Sequence, residues 1–136
     1  MVTGRTLVEG TGAGPLLRLT HPISFWGGVD PVAGRVVDPR HPQFGASIAG
    51  KVLVIPFAIG SSSSSAIMLE LLREGQAPAA ILMGKADAIL ALGVVVGMEL
   101  GYAGIPVVEV SVADLGEIAD GVMVRVDSEG IAAVSG

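Results

Sequence analysis

The chain has 136 residues, of which 51% are apolar and 15% charged, with 20 glycines, 8 prolines and no cysteine. A net charge of −5 and an aromatic content of 4% argue against a nucleic-acid binder. The lack of cysteine excludes disulfides, a thiol nucleophile and a thiolate-held zinc or iron–sulfur cluster within the chain.

This length can bury a core without staples, and we expect residues 1–136 to form one domain. So apolar a composition suggests that a partner covers part of the surface. Met1 to Thr6 carries no apolar leader region. Ala88 to Met98 is far shorter than the roughly 20 apolar residues a bilayer needs. A soluble, cytoplasmic protein is expected.

Arg5–Glu9, Leu16–Leu19 and Arg35–Val37 read as short strands separated by Gly and Pro clusters. Between them Ile23–Asp30, with Phe25, Trp26, Gly27, Gly28 and Asp30, reads as a functional loop. Trp26 could equally cover the core or close over a ligand or partner. His21 and His41, each followed by Pro, read as structural loop residues, since no ligand spacing supports a metal.

After Gly50 the texture changes. Lys51–Phe57 is a continuous apolar run, as expected of a strand buried on both faces. Gly60 and the serine run Ser61–Ser65 follow. Ala66–Glu74 has helical periodicity, with Ile67, Met68, Leu71 and Leu72 on one side, and Gly75 as a stop. Ala79–Met83 is a further strand, and Ala88–Leu100 a buried helix despite Gly93 and Gly97. Ile105–Val110 is a strand, Leu115–Ala119 a short helix and Val122–Val126 another strand. Strand–helix alternation favours a parallel sheet carrying helices. The predicted class is α/β, with a β-rich N-terminal part and a parallel strand–helix C-terminal part.

The segment that carries chemistry is Val52–Leu72. A buried strand turning through Gly60 into a helix presents backbone N–H groups, backed by the helix dipole, to an anion. Carboxylate or phosphate binding at Gly60–Ser64 follows if the helix starts there. A serine run also suits helix capping or a flexible link. The nucleophile-elbow pattern Gly-x-Ser-x-Gly is absent, which speaks against a Ser–His–Asp hydrolase.

Pro22–Pro31, Gly34–Asp38, His41-Pro42, Gly50–Val54, the Gly60-Ser61-Ser62 turn, Leu69–Leu71, Ala77–Ala80 and Ala91–Gly93 together resemble the small subunit of aconitase X. The resemblance runs from about Gly4 to Val110. It implies an aconitase swivel-like β/β/α domain that packs against a large subunit. That large subunit would carry the iron or iron–sulfur centre and its cysteine ligands, leaving no cofactor in this chain.

The resemblance also implies dehydration of a small hydroxy acid: cis-3-hydroxy-L-proline as the first expectation, 5-phosphomevalonate as the alternative. It places the general base on Ser61, with Gly60, Ser62 and Ser63 holding substrate. A serine is a poor base at its ordinary pKa, so it would act as an alkoxide stabilised by the helix N-terminus and neighbouring donors. One departure stands out. The family usually has an Arg directly before this turn, whereas this chain has Phe57-Ala58-Ile59. The alternatives from other classes are a self-associating, non-enzymatic binding module and a mobile phosphohistidine domain. The latter would need a His after Gly27-Gly28, and the sequence there is Val29-Asp30-Pro31.

Overall fold

The computed structural model describes residues 1–59 and 63–134. The apolar run after Gly50 forms β5 (Val52–Ile55), with every residue buried. Two parallel neighbours flank it: β2 (Gly12–Arg18), with Leu17 opposite Leu53, and β6 (Ala80–Met83), with Ile55 opposite Met83. β6 pairs in parallel with β7 (Val107–Glu109). Beyond these parallel strands the pairing turns antiparallel. β1 (Arg5–Val8) lies against β7, β8 (Met123–Asp127) against β2, and β9 (Gly130–Ala133) against β8. The seven-stranded order is β1-β7-β6-β5-β2-β8-β9.

The two ends of this sheet meet. Val2 donates to the Ile131 carbonyl at 2.9 Å and accepts from its N–H at 2.8 Å. The sheet thereby curls towards a barrel, which protects its edges from stray pairing. β3 (Val29–Asp30) and β4 (Arg35–Val36) form a separate hairpin.

Strand alternation divides the apolar side chains between two cores. Leu53, Ile55, Ile81 and Met83 face the helices α2 (Ser63–Glu74) and α3 (Ala88–Glu99), meeting Met68, Leu71, Leu90 and Val94. Val52, Val54, Ala80 and Leu82 face inward to the curled sheet, against Val124, Val126, Ile131 and Leu115. Leu115 ends a 3-10 turn, Val112–Leu115, where the sequence predicts a helix over Leu115–Ala119.

Two further expectations are corrected. α2 starts at Ser63 rather than Ala66, because serine is well tolerated in a first helical turn. α3 is not buried all round: Leu92, Val95, Val96 and Met98 are exposed. Its glycines lie on the buried side. A Cβ on Gly93 would stand 2.6 Å from the Ser65 carbonyl oxygen, so glycine lets α3 press against α2. Among the described residues no helix is long and apolar enough to cross a membrane.

Candidate functional site

Because β2, β5, β6 and β7 run the same way, their C-terminal ends and the N-termini of α2 and α3 share one edge of the sheet. Ligands of open α/β sheets bind at such edges, where helix N-termini point. The two helix N-termini differ in charge state. Asp87 caps α3, its Oδ1 accepting from the N–H groups of Ile89 at 2.8 Å and Leu90 at 3.3 Å. That carboxylate already offsets the positive end of the helix. α2 has no acidic residue in its first turn. Of the two, α2 is the one left to attract an external anion.

Gly60, Ser61 and Ser62, where the general base and most of the substrate contacts are expected, lie outside the described residues. The residues on either side of them are described. On the incoming side the chain leaves β5 through Pro56, pairs Ala58 with Ile23 in a bridge, and donates Ile59 N–H to the Ile23 carbonyl at 2.9 Å. On the outgoing side Ser63 opens α2 half-buried. Ser64 follows at 2% exposure, its Oγ without a hydrogen-bond partner among the described residues. A buried hydroxyl with no partner is costly and uncommon.

The Ile23–Asp30 loop is held at the same edge by its bridge to Ala58. It contains α1, a single turn over Phe25–Gly28 in which Trp26 and Gly27 leave helical angles, Gly27 at φ +79°. That break splits the expected loop residues. Phe25 is fully buried in the helix-side core and Gly28 is buried against Ile23, so neither side faces a ligand. Trp26 is turned outward at 60% exposure, which excludes the core-covering role. Ser24 Oγ donates to the Trp26 carbonyl at 3.0 Å. Asp30 builds the β3–β4 turn, its Oδ1 accepting from Val32 N–H at 2.9 Å and Ala33 N–H at 3.2 Å. Phe57 and Ile59, on the bridged strand extension, are also exposed.

The histidines have structural roles. His41 is buried; its Nδ1 accepts from Gln43 N–H at 3.0 Å, so Nε2 carries the proton and donates to the His21 carbonyl at 3.2 Å. Among the described residues no cluster of His, Cys, Asp or Glu could hold a metal ion. With no cysteine in the sequence, the iron centre implied by the family resemblance does not fit this chain's own residues. A cavity of about 410 Å³ lies at the opposite edge of the sheet, between Glu9, Thr11, Pro106 and Asp127. It is remote from both helix N-termini.

A family model described as the aconitase X swivel domain matches residues 1–134. A phosphomevalonate dehydratase small subunit of Methanothermobacter thermautotrophicus is 43% identical over 126 residues, covering 92% of each chain. A cis-3-hydroxy-L-proline dehydratase of Pseudomonas aeruginosa is 45% identical over 107 residues, covering 79% of this chain. The chain spans only 18% of that longer relative. Among solved structures, Thermococcus kodakaraensis aconitase X in its holo form superposes with a TM-score of 0.85 at 35% identity, covering 98% of both chains.

Proposed function

From the premise that the chain belongs to the aconitase X swivel-domain family, we propose that it is the small, swivel part of a hydro-lyase. The enzyme would dehydrate a small hydroxy acid and be active only with a large subunit. The observation that carries this reading is the start of α2, which has no acidic residue in its first turn and is the next helix after the fully buried β5, in a chain matched along almost its whole length by that family.

In this reading the Ser61 alkoxide takes the proton α to the substrate carboxylate and becomes a hydroxyl, while the electron pair left behind forms the C=C bond and the β-hydroxyl leaves as hydroxide or water. Gly60, Ser62 and Ser63 hold the anionic group with backbone N–H and hydroxyl donors, where the helix dipole favours negative charge. Trp26, with Phe57 and Ile59, forms the apolar rim that the large subunit covers, excluding water from the cleft. The iron or iron–sulfur centre would be held by the large subunit; among the described residues of this chain no cluster of His, Cys, Asp or Glu could hold a metal ion. The reaction is metabolic and is placed in the cytoplasm.

Cis-3-hydroxy-L-proline is the first substrate to assay. Phosphomevalonate is the second reading, favoured by an alignment that runs along 92% of both this chain and a phosphomevalonate dehydratase small subunit. Coexpression with the large chain should yield a co-purifying complex that dehydrates one of the two acids, while the lone chain is inactive. A lone chain that forms a closed oligomer and ignores the large chain would instead support a self-associating binding module.

A further inference from the structure

β2 ends at Arg18, and from there to Ile23 the chain has no regular secondary structure. Backbone groups that leave a sheet need other partners. Two side chains of a later loop supply them. Gln43 Oε1 accepts from Thr20 N–H at 2.9 Å, and Gln43 Nε2 donates to the Arg18 carbonyl. His41 Nε2 donates to the His21 carbonyl at 3.2 Å. The pair is tied together, because Gln43 N–H donates to His41 Nδ1 at 3.0 Å. His41 is one of two buried polar side chains among the described residues, and both its ring nitrogens are engaged. A buried imidazole is tolerated when its hydrogen bonds are made.

This clamp grips the base of the Trp26 loop. Two residues beyond His21, the Ile23 carbonyl accepts from Ile59 N–H at 2.9 Å, and Ile23 bridges Ala58. Ile59 is the last described residue before Gly60. At the far end of the Trp26 loop, the Gly28 carbonyl accepts from Val37 N–H at 2.9 Å. Val37 leads into a turn in which His41 N–H donates to the Asp38 carbonyl at 3.0 Å. Residues 37–43 therefore hold both ends of the segment that carries Trp26, while Phe25 anchors its middle in the core. With its side chain 60% exposed, Trp26 owes its direction to these anchors more than to its own packing.

We infer that His41 and Gln43 are positioning residues for the site edge. Through Arg18, Thr20 and His21 they fix Ile23, and with it the outward Trp26 and the backbone at Ile59. What that edge does rests on the proposed dehydratase reading.

The test compares His41→Asn with His41→Gln. Asn keeps an acceptor for Gln43 N–H but is too short to reach the His21 carbonyl. Gln places an amide N–H where Nε2 stands. In the whole lone chain, amide exchange followed by NMR reads Ile59 N–H, and time-resolved anisotropy reads Trp26, the only tryptophan. His41→Asn should speed exchange at Ile59 roughly tenfold and enlarge the local motion of Trp26. His41→Gln should stay within about threefold of wild type at Ile59. Gln43→Ala, at a half-buried position, should act as His41→Asn does, and decides the matter if His41→Asn does not fold. Exchange at Leu53, central in β5, should not change. The inference is overturned if Leu53 speeds up as much as Ile59, or if His41→Asn and His41→Gln speed Ile59 equally. It is also overturned if His41→Asn leaves Ile59 within twofold of wild type. In the assembled complex, kcat/KM of His41→Asn should fall roughly tenfold and recover in His41→Gln. A His41→Asn value within twofold of an active wild type also overturns the positioning role. A wild-type complex that dehydrates neither acid removes the dehydratase reading, and the clamp is then judged by exchange and anisotropy.

Discussion

Ser64 is the residue whose chemistry is least resolved by packing alone. Its hydroxyl is buried in the first turn of α2 and lacks a partner among the described residues. An unmet buried donor costs about 1–3 kcal/mol, and alanine removes that cost without opening a large void. Ser64→Ala should therefore stabilise the lone chain by about 1 kcal/mol, read as a rise of roughly 3 °C in Tm. A fall in Tm would mean that the hydroxyl is satisfied and structural. The residue-level signals in the sequence were uneven. Gly and Ser at a strand-to-helix passage are visible from chain order alone. The split of Phe25 inward and Trp26 outward is not, because it depends on a backbone break at Gly27, φ +79°.

Among the elements, β5 and β6 were legible because strands buried on both faces are continuously apolar; β5 is three residues and β6 one residue shorter than the predicted strands. β9 was missed: Gly130 to Ala133 contains one strongly strand-forming residue, Ile131, and its pairing with Val2 spans the whole chain. The burial of α3 was overestimated, since periodicity cannot distinguish faces in a helix whose residues are nearly all apolar. Its packing face is marked instead by Gly93, whose added Cβ would meet the Ser65 carbonyl oxygen at 2.6 Å and Met68 Cβ at 2.8 Å. Neither neighbour is the free end of a flexible chain. Gly93→Ala should cost about 1–2 kcal/mol, the overpacking outweighing alanine's better helix propensity. Urea denaturation measures this, and a gain in stability would show that α2 and α3 can part easily. On the outer face of α2, Arg73 hydrogen-bonds Glu70 and holds its carboxyl below the ordinary carboxylate range. The pair is solvent-exposed and remote in role from the N-terminus.

For the molecule as a whole, a curled sheet closed by Val2 and Ile131 gives a stable body. Its candidate site edge carries the start of α2, with no acidic residue in the first turn, and an outward Trp26. A cavity of about 410 Å³ sits at the other edge. Relatives carry this domain both as a small subunit and within a longer chain. The class of fold could be read from strand–helix alternation. The closure of the sheet could not, because it is set by contacts distant in sequence.

The most direct measurement is the turnover number of the assembled complex carrying Ser61→Ala, with assembly checked by gel filtration and substrate binding by calorimetry. We predict a complex that forms and binds substrate within a few-fold of wild type, yet loses at least about 10³-fold in kcat, as expected when a proton-abstracting group is removed. A variant that keeps near-normal kcat would show that the proton leaves by another route.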